Sequence, residues 1–275
     1  PASAVASGRE AGGMRRDRAG QPRSKRDIVT VHVALITGAG GGLGRAVADH
    51  LAQAGWRLAL VSRTAARLEG VGPAEALRIE ADVSTPDGAR AAVAQCTSAL
   101  EAPSALVNCA GSTLIAPLHR TSEAAYRACL GANMDSAFFL LAAFVEALRS
   151  AQRPGAAVLV SSVVGHIGVA NHEAISMAKA AVAGLVRGAA ATYAPSRIRV
   201  NAVSPAFMHT PATASIVASD AAREGVARQY PLGGIGSVDE VAQAIAWLIS
   251  PSASRITGQV LPIDGGFTAV RPLVR

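Results

Sequence analysis

The sequence predicts one α/β domain: a doubly wound parallel sheet of seven strands with helices on both faces. Three observations predict it. From Ile28 onward, short β-branched runs alternate with longer Ala-rich amphipathic stretches, the pattern of repeated strand–helix crossovers. Half of the residues are hydrophobic but only 4% are aromatic. The core must therefore be built from Ala, Val, Leu and Ile, as in a parallel sheet buried on both faces. The 275 residues suit one such domain of about 250 residues plus a tail.

The elements follow in order. Residues 30–37 (TVHVALIT) read as the first strand, and 44–54 as a helix ended by Gly55. Arg57–Ser62 (RLALVS) is the second strand and Leu77–Glu80 a short third. A helix is expected over 87–100, a fourth strand at Ala105–Asn108 and a long helix over 123–150. The fifth strand is placed at 157–161, a second long helix at 172–193 and the sixth strand at 197–204. Val238–Ile249 reads as a helix stopped by Pro251, and 259–263 as the seventh strand. The segment 207–236 is expected to cover a substrate pocket. Arg223 and Arg228 within it can meet a phosphate or carboxylate, but a solvated helix face is the plainer reading. Trp56 and Trp247 read as core or helix-packing residues.

The domain division is 1–27, a disordered basic tail, and 28–275, a single domain. The tail holds Arg9, Arg15, Arg16, Arg18, Arg23, Lys25 and Arg26 against Glu10, Asp17 and Asp27, so it supplies more than half of the net charge of +7. Without a basic stripe interleaved with aromatics in the body, nucleic acid is not expected as a partner. The Arg-rich, acid-poor tail also permits a transit peptide, and a start at Met14 is the bland alternative. No uninterrupted apolar run in the sequence suggests a membrane span. Cys96, Cys109 and Cys129 form no metal-ligand spacing and read as reduced, mostly buried thiols of a cytoplasmic protein, with no metal site.

After the first strand comes Thr37-Gly38-Ala39-Gly40-Gly41-Gly42-Leu43-Gly44, leading into a helix. Glycines there allow a tight turn and a close backbone approach to a pyrophosphate. The helix N-terminus adds free N–H groups and partial positive charge. Taken alone the cluster is a flexible turn. Between strand and helix in a βαβ series it marks a Rossmann-type dinucleotide site. At the end of the second strand, where a carboxylate would bind the adenosine ribose, stand Ser62 and Arg63. A carboxylate would repel a 2′-phosphate and this pair can receive one, so NADP(H) is favoured over NAD(H). Asp82 and Val83 are placed near the adenine.

These pieces, with those further along the chain, resemble the short-chain dehydrogenase/reductase family, and within it the 3-oxoacyl-carrier-protein reductases. The matches are TGAGGGLG (37–44), Asp82-Val83, NCAG (108–111) for the usual NNAG, Asn133, Ser161-Ser162, Lys179, NAVSPAFMHT (201–210) and ITGQVLPIDGG (256–266). Ala206 replaces the usual glycine after Pro205. The resemblance implies a ketoreductase-like oxidoreductase. Its cofactor contacts would be Thr37, Gly38, Gly42, Leu43, Gly44, Ser62, Arg63, Asp82, Val83, Asn108, Ala110, Gly111, Lys179, Pro205 and Thr210. It also implies catalytic Ser162, Lys179 and Asn133, a small-molecule or acyl-thioester substrate, and a homodimer or homotetramer. Cys109 would pack behind the nicotinamide.

One member of the implied set is missing. The family's tyrosine lies four residues before the lysine, so that both face the cofactor. Here that position is Ile175. A positioned general acid contributes about 10²–10⁴-fold, so the proton must come from elsewhere or turnover is crippled. His172 and His166 are the sequence's candidates for a substitute, against a plain role in capping or lining the pocket. Three function classes remain open: an oxidoreductase with an unusual proton source, an inactive subunit supporting an active relative in a hetero-oligomer, and a lyase, isomerase or dinucleotide sensor on the same fold.

Overall fold

The computed structural model describes residues 32–271. The expected basic tail, the start of the first predicted strand and the last four residues lie outside these. Seven parallel strands form one sheet in the order β3-β2-β1-β4-β5-β6-β7. They are β1 Val33–Thr37, β2 Arg57–Ser62, β3 Leu77–Glu80, β4 Ala105–Asn108, β5 Gly155–Val160, β6 Ile198–Pro205 and β7 Val260–Ile263. The helices are α1 Gly42–Gln53, α2 Pro86–Ala99, α3 Glu123–Leu130, α4 Ser136–Ser150, α5 Glu173–Tyr193, α6 Asp220–Ala227 and α7 Val238–Ile249.

Strand alternation builds two cores. Along β1, Val33 and Leu35 pack into the layer formed with α2, α4 and α5. Ala34 and Ile36 point the other way, into the layer formed with α1 and α7. Both layers are aliphatic, with Phe144 the single aromatic among the largest fully buried side chains. The strand order reverses between β1, paired to β2 on one side, and β4 on the other. In open α/β sheets ligands bind beyond the carboxyl ends of the strands at such a point. Thr37, Ser62, Asn108 and Pro205 all lie at carboxyl ends.

Local chemistry sets several helix starts. Thr85 accepts the Gly88 amide at 3.1 Å ahead of Pro86 at the first helical position. Ser122 accepts the Ala125 amide at the start of α3. Ser237 and Glu240 form a reciprocal capping box on α7.

The structure departs from the sequence expectations at three places. The helix predicted over 123–150 is interrupted by a π-helical segment, Gly131–Asp135, between α3 and α4. The extra residue per turn rotates Asn133 inward, where it is buried; such widened turns recur at functional sites. The covering segment holds the solvated helix read there, α6, but a bridge between Met208 and Gly236 that the sequence did not announce pinches its base. Trp247 is 44% exposed on α7 rather than in the core, whereas Trp56 packs on the α1/α7 layer. Arg223 on α6 and Arg228 at its C-terminal cap are exposed, and Arg228 pairs with Glu224 one turn back.

Two helical stretches, Glu123–Ser150 and Glu173–Ser196, are long and apolar enough to cross a membrane by length and composition. Each packs one face into the core, with Leu140, Phe144, Leu148, Val182 and Val186 buried there, while Phe138 and Met177 stay exposed.

Candidate active site

The glycine turn after β1 is shaped by contacts that leave no room for a side chain. Gly38 has φ +62°, and a Cβ there would stand 2.6 Å from the Cys109 carbonyl. A Cβ on Gly44 would run into the Gly38 carbonyl oxygen, and one on Gly40 into that of Arg67. Arg45 clasps the turn from α1, donating to the carbonyls of Gly40 (3.3 Å) and Arg67 (3.2 Å). The amides at the start of α1 are left for an anion. The Leu43 side chain is packed in the core, so only its backbone faces this edge. Thr210 lies 3.1 Å from the position of a Cβ on Gly42, which brings the covering segment against the turn.

Beside the turn is a cavity of about 270 Å³. Thr37, Gly38, Ser62, Arg63, Asp82, Val83, Ala110 and Gly111, all expected from the sequence, line it. Asn108 sits beneath, accepting from the Thr37 hydroxyl at 2.5 Å and the Ala110 amide at 3.3 Å. The Ser84 hydroxyl (2.7 Å) and amide (3.0 Å) hold the Asp82 carboxyl below its ordinary range, against the opposing effect of burial and with help from the Arg63 charge. Arg67 and Arg127 also line this cavity. Neither was expected. Arg127 lies on α3, far along the chain from Thr37 and Ser62 at the strand ends it joins, and no local pattern reports that approach.

The second cluster centres on Lys179. Its ammonium is buried under α5 and donates to the Val160 carbonyl at 2.8 Å. The Ser161 hydroxyl donates to the Lys179 carbonyl at 2.9 Å, tying α5 to the end of β5. Burial pulls the Lys179 pKa from 10.5 to about 8, resisted by the nearby Cys109 and Cys129 thiols. Burial in turn pushes the Cys109 thiol up to about 12. Asn133 stands across from the lysine. A Cβ on Gly111 would fall 2.8 Å from Asn133 Oδ1 and 3.6 Å from Lys179 Nζ, so the three meet around one small space. Asn133 is held by donating to the carbonyls of Cys129 (2.9 Å) and Ser112 (3.1 Å) and accepting from the Ser112 amide (3.3 Å). Ser112, a partner the sequence reading missed, follows the NCAG segment directly.

Ser162 is half-buried at the end of β5. Its hydroxyl makes only long contacts, donating to the Pro205 carbonyl at 3.5 Å and accepting the Val164 amide at 3.4 Å. Ile175 lies one helical turn before Lys179 and is 5% exposed. It packs with Cys129, Ala174, Leu114, Tyr126 and Val164. His172 is the residue before α5, its Nδ1 2.7 Å from the Ala170 carbonyl. His166 is exposed beyond the turn that follows Ser162. A separate cavity of about 420 Å³ lies under the covering segment, lined by Phe207, Met208, Tyr230 and Ile263 among others; none of Ser162, Ile175, Lys179 and Asn133 reaches it.

A glycine turn feeding a helix, a cavity at the strand-order reversal and a buried lysine facing an asparagine define a dinucleotide-binding oxidoreductase scaffold. Comparisons with known proteins agree. A family model described as enoyl-(acyl carrier protein) reductase matches residues 38–268. Cis-4-hydroxycyclohexanecarboxylate dehydrogenase of Sinomonas cyclohexanicum is 38% identical over 247 residues, covering 86% of this chain and 97% of that protein. Galactitol 2-dehydrogenase (L-tagatose-forming) of Cereibacter sphaeroides is 36% identical, covering 86% and 94%. Among solved structures, levodione reductase superposes with a TM-score of 0.80 at 31% identity, covering 87% of this chain and 98% of that one. The chain belongs to the short-chain dehydrogenase/reductase family. It is an oxidoreductase-family protein, of a family that uses NAD(P) and acts on hydroxyl and carbonyl compounds.

Proposed function

We propose that this chain is an NADP(H)-dependent ketoreductase-like oxidoreductase with a non-standard proton source. The observation that supports the reading is the meeting of Lys179, Asn133 and Gly111 around one small space, with an isoleucine, Ile175, one helical turn before the lysine. The cofactor, when bound, exchanges a hydride with the substrate carbon. The Gly38–Gly44 turn and the α1 amides would hold its pyrophosphate. Ser62 and Arg63 would receive a 2′-phosphate, and Arg67 and Arg127 add positive charge to the same cavity. Lys179 would bind the nicotinamide ribose. The Ser162 hydroxyl, only loosely held, is free to donate to a substrate carbonyl. The substrate is a small carbonyl or hydroxyl compound or an acyl thioester, and the setting is cytoplasmic.

A specific observation keeps the inactive-subunit reading alive. Ile175 is well packed among apolar neighbours, as expected of a site no longer kept for proton transfer. Phe138 on α4 (55% exposed) and Met177 on α5 (48%) leave apolar surface for a related subunit, in a homo- or hetero-oligomer.

The deciding experiment compares NADPH oxidation by the wild type and Ile175→Tyr on ketones and β-ketoacyl thioesters. The proposed function expects wild-type turnover, changed less than about tenfold by the new phenol. A silent wild type and a gain of about a hundredfold or more, the scale of one general acid, would instead establish a disarmed subunit.

A further inference from the structure

The reading above needs a proton source, and the geometry points to one. Two histidines compete for the role. His172 stands just before α5, and its Nδ1 is engaged by the Ala170 carbonyl. His166 is exposed to solvent. Lys179 differs from both. It is buried, it lies on the same face of α5 as Ile175 one turn away, and its ammonium has one protein acceptor, the Val160 carbonyl. Two of its three N–H bonds are therefore uncommitted among the described residues. Ile175 carries no polar atom and so takes up none of these N–H bonds, while Gly111 and Asn133 meet the ammonium around one small space.

We propose that Lys179 is itself the general acid of carbonyl reduction in this chain, rather than a group that tunes a tyrosine. The inference rests on the oxidoreductase reading above. As hydride reaches the carbonyl carbon, the C=O π pair moves to oxygen. That oxygen takes a proton from a bridging solvent water, which takes one from Lys179 Nζ. The lysine is left neutral and recovers a proton from solvent along the polar edge formed by Asn133 and Ser112. Oxidation runs the same transfers backwards. The titratable groups facing Lys179 are Cys109 at the end of β4 and Cys129 on α3, both held protonated by burial, so the lysine is the group that changes charge near neutrality.

The sequence makes the test clean, because Lys25 and Lys179 are its only lysines. In a Lys25→Arg background with ¹³Cε-labelled lysine, a single NMR signal reports Lys179 in the wild-type fold without turnover. Its midpoint is expected near 8, well below the ordinary 10.5. Carbonyl reduction requires the protonated form, so kcat/KM is expected to be flat below that midpoint and to fall about tenfold per pH unit above it. Lys179→Arg keeps a cation for the ribose but does not release a proton near neutral pH. It should hold NADPH within about fivefold, by fluorescence titration, and lose about a hundredfold or more in kcat/KM. Adding Ile175→Tyr to it should recover at least about tenfold. The proposal is overturned if Lys179 titrates above 10, if Lys179→Arg keeps turnover within tenfold, or if the pH limb survives in that variant. A wild type that binds NADPH but turns over nothing overturns the oxidoreductase reading itself, which is a distinct result.

Discussion

Removing Arg63 tests the cofactor preference most directly. Its guanidinium lines the cavity beside the glycine turn, next to Ser62, and lowers the Asp82 carboxyl across it. A unit charge pair at 4 Å is worth about 1 kcal/mol in bulk water and about 4 kcal/mol at an effective dielectric of 20. Arg63 is exposed, so the lower half of that range applies, about 1–2 kcal/mol after solvent screening. Arg63→Ala should therefore weaken NADPH binding about five- to thirtyfold. NADH lacks the 2′-phosphate and should change less than about twofold. Raising salt should narrow the gap between wild type and variant, because the lost interaction is screened. The partner variant Ser62→Asp places a carboxylate where the phosphate would sit, on a side chain already 8% exposed, and should invert the preference. The assay is fluorescence titration of both reduced cofactors. Equal losses for NADPH and NADH in Arg63→Ala would refute the reasoning, since the arginine would then act on the shared part of the molecule.

Two further outcomes follow from the same contacts. Asn133→Ala removes two donated hydrogen bonds, one of them to the buried Cys129 carbonyl, and frees the Ser112 amide and carbonyl of an exposed residue, which should cost about 1–3 kcal/mol; a urea midpoint unchanged at constant slope would contradict it. Stability of the cofactor-free protein should peak near pH 9. Between about 8 and 10.5 the unfolded chain keeps the Lys179 proton that the folded chain has released, so this group by itself adds up to about 1.4 kcal/mol per pH unit. Above 9.0 unfolded Cys96 and Cys109 ionise while the folded thiols hold their protons to about 12, and two opposing groups outweigh one. Urea melts from pH 7 to 10.5 would show it, and a steady fall from pH 7 onward would not fit.

Much of this architecture was legible before any coordinates. Arg57–Ser62, Leu77–Glu80, Ala105–Asn108 and Val238–Ile249 were read with their observed limits, because fully buried parallel strands are short apolar runs and the last helix carries its own cap and stop. The glycine turn was legible because only glycine fits where Gly38 and Gly44 sit. The Ile175–Lys179 relation was legible because four residues make one helical turn.

What the sequence by itself determined, then, was the periodic and the punctuated: strand and helix order, the glycine turn between β1 and α1, and the absence of a phenol four residues before the lysine. Only the tertiary structure decided the π-helical segment that turns Asn133 inward, the approach of Arg127 to the cavity beside the glycine turn, the seating of Ile175 among Cys129, Leu114 and Tyr126, and the burial that softens Lys179. The physical reason is range. Caps and apolar spacing act within a turn or two of chain, whereas each of these features depends on how α3 and α5 dock on the carboxyl ends of strands far away in sequence, and docking is settled by the whole core.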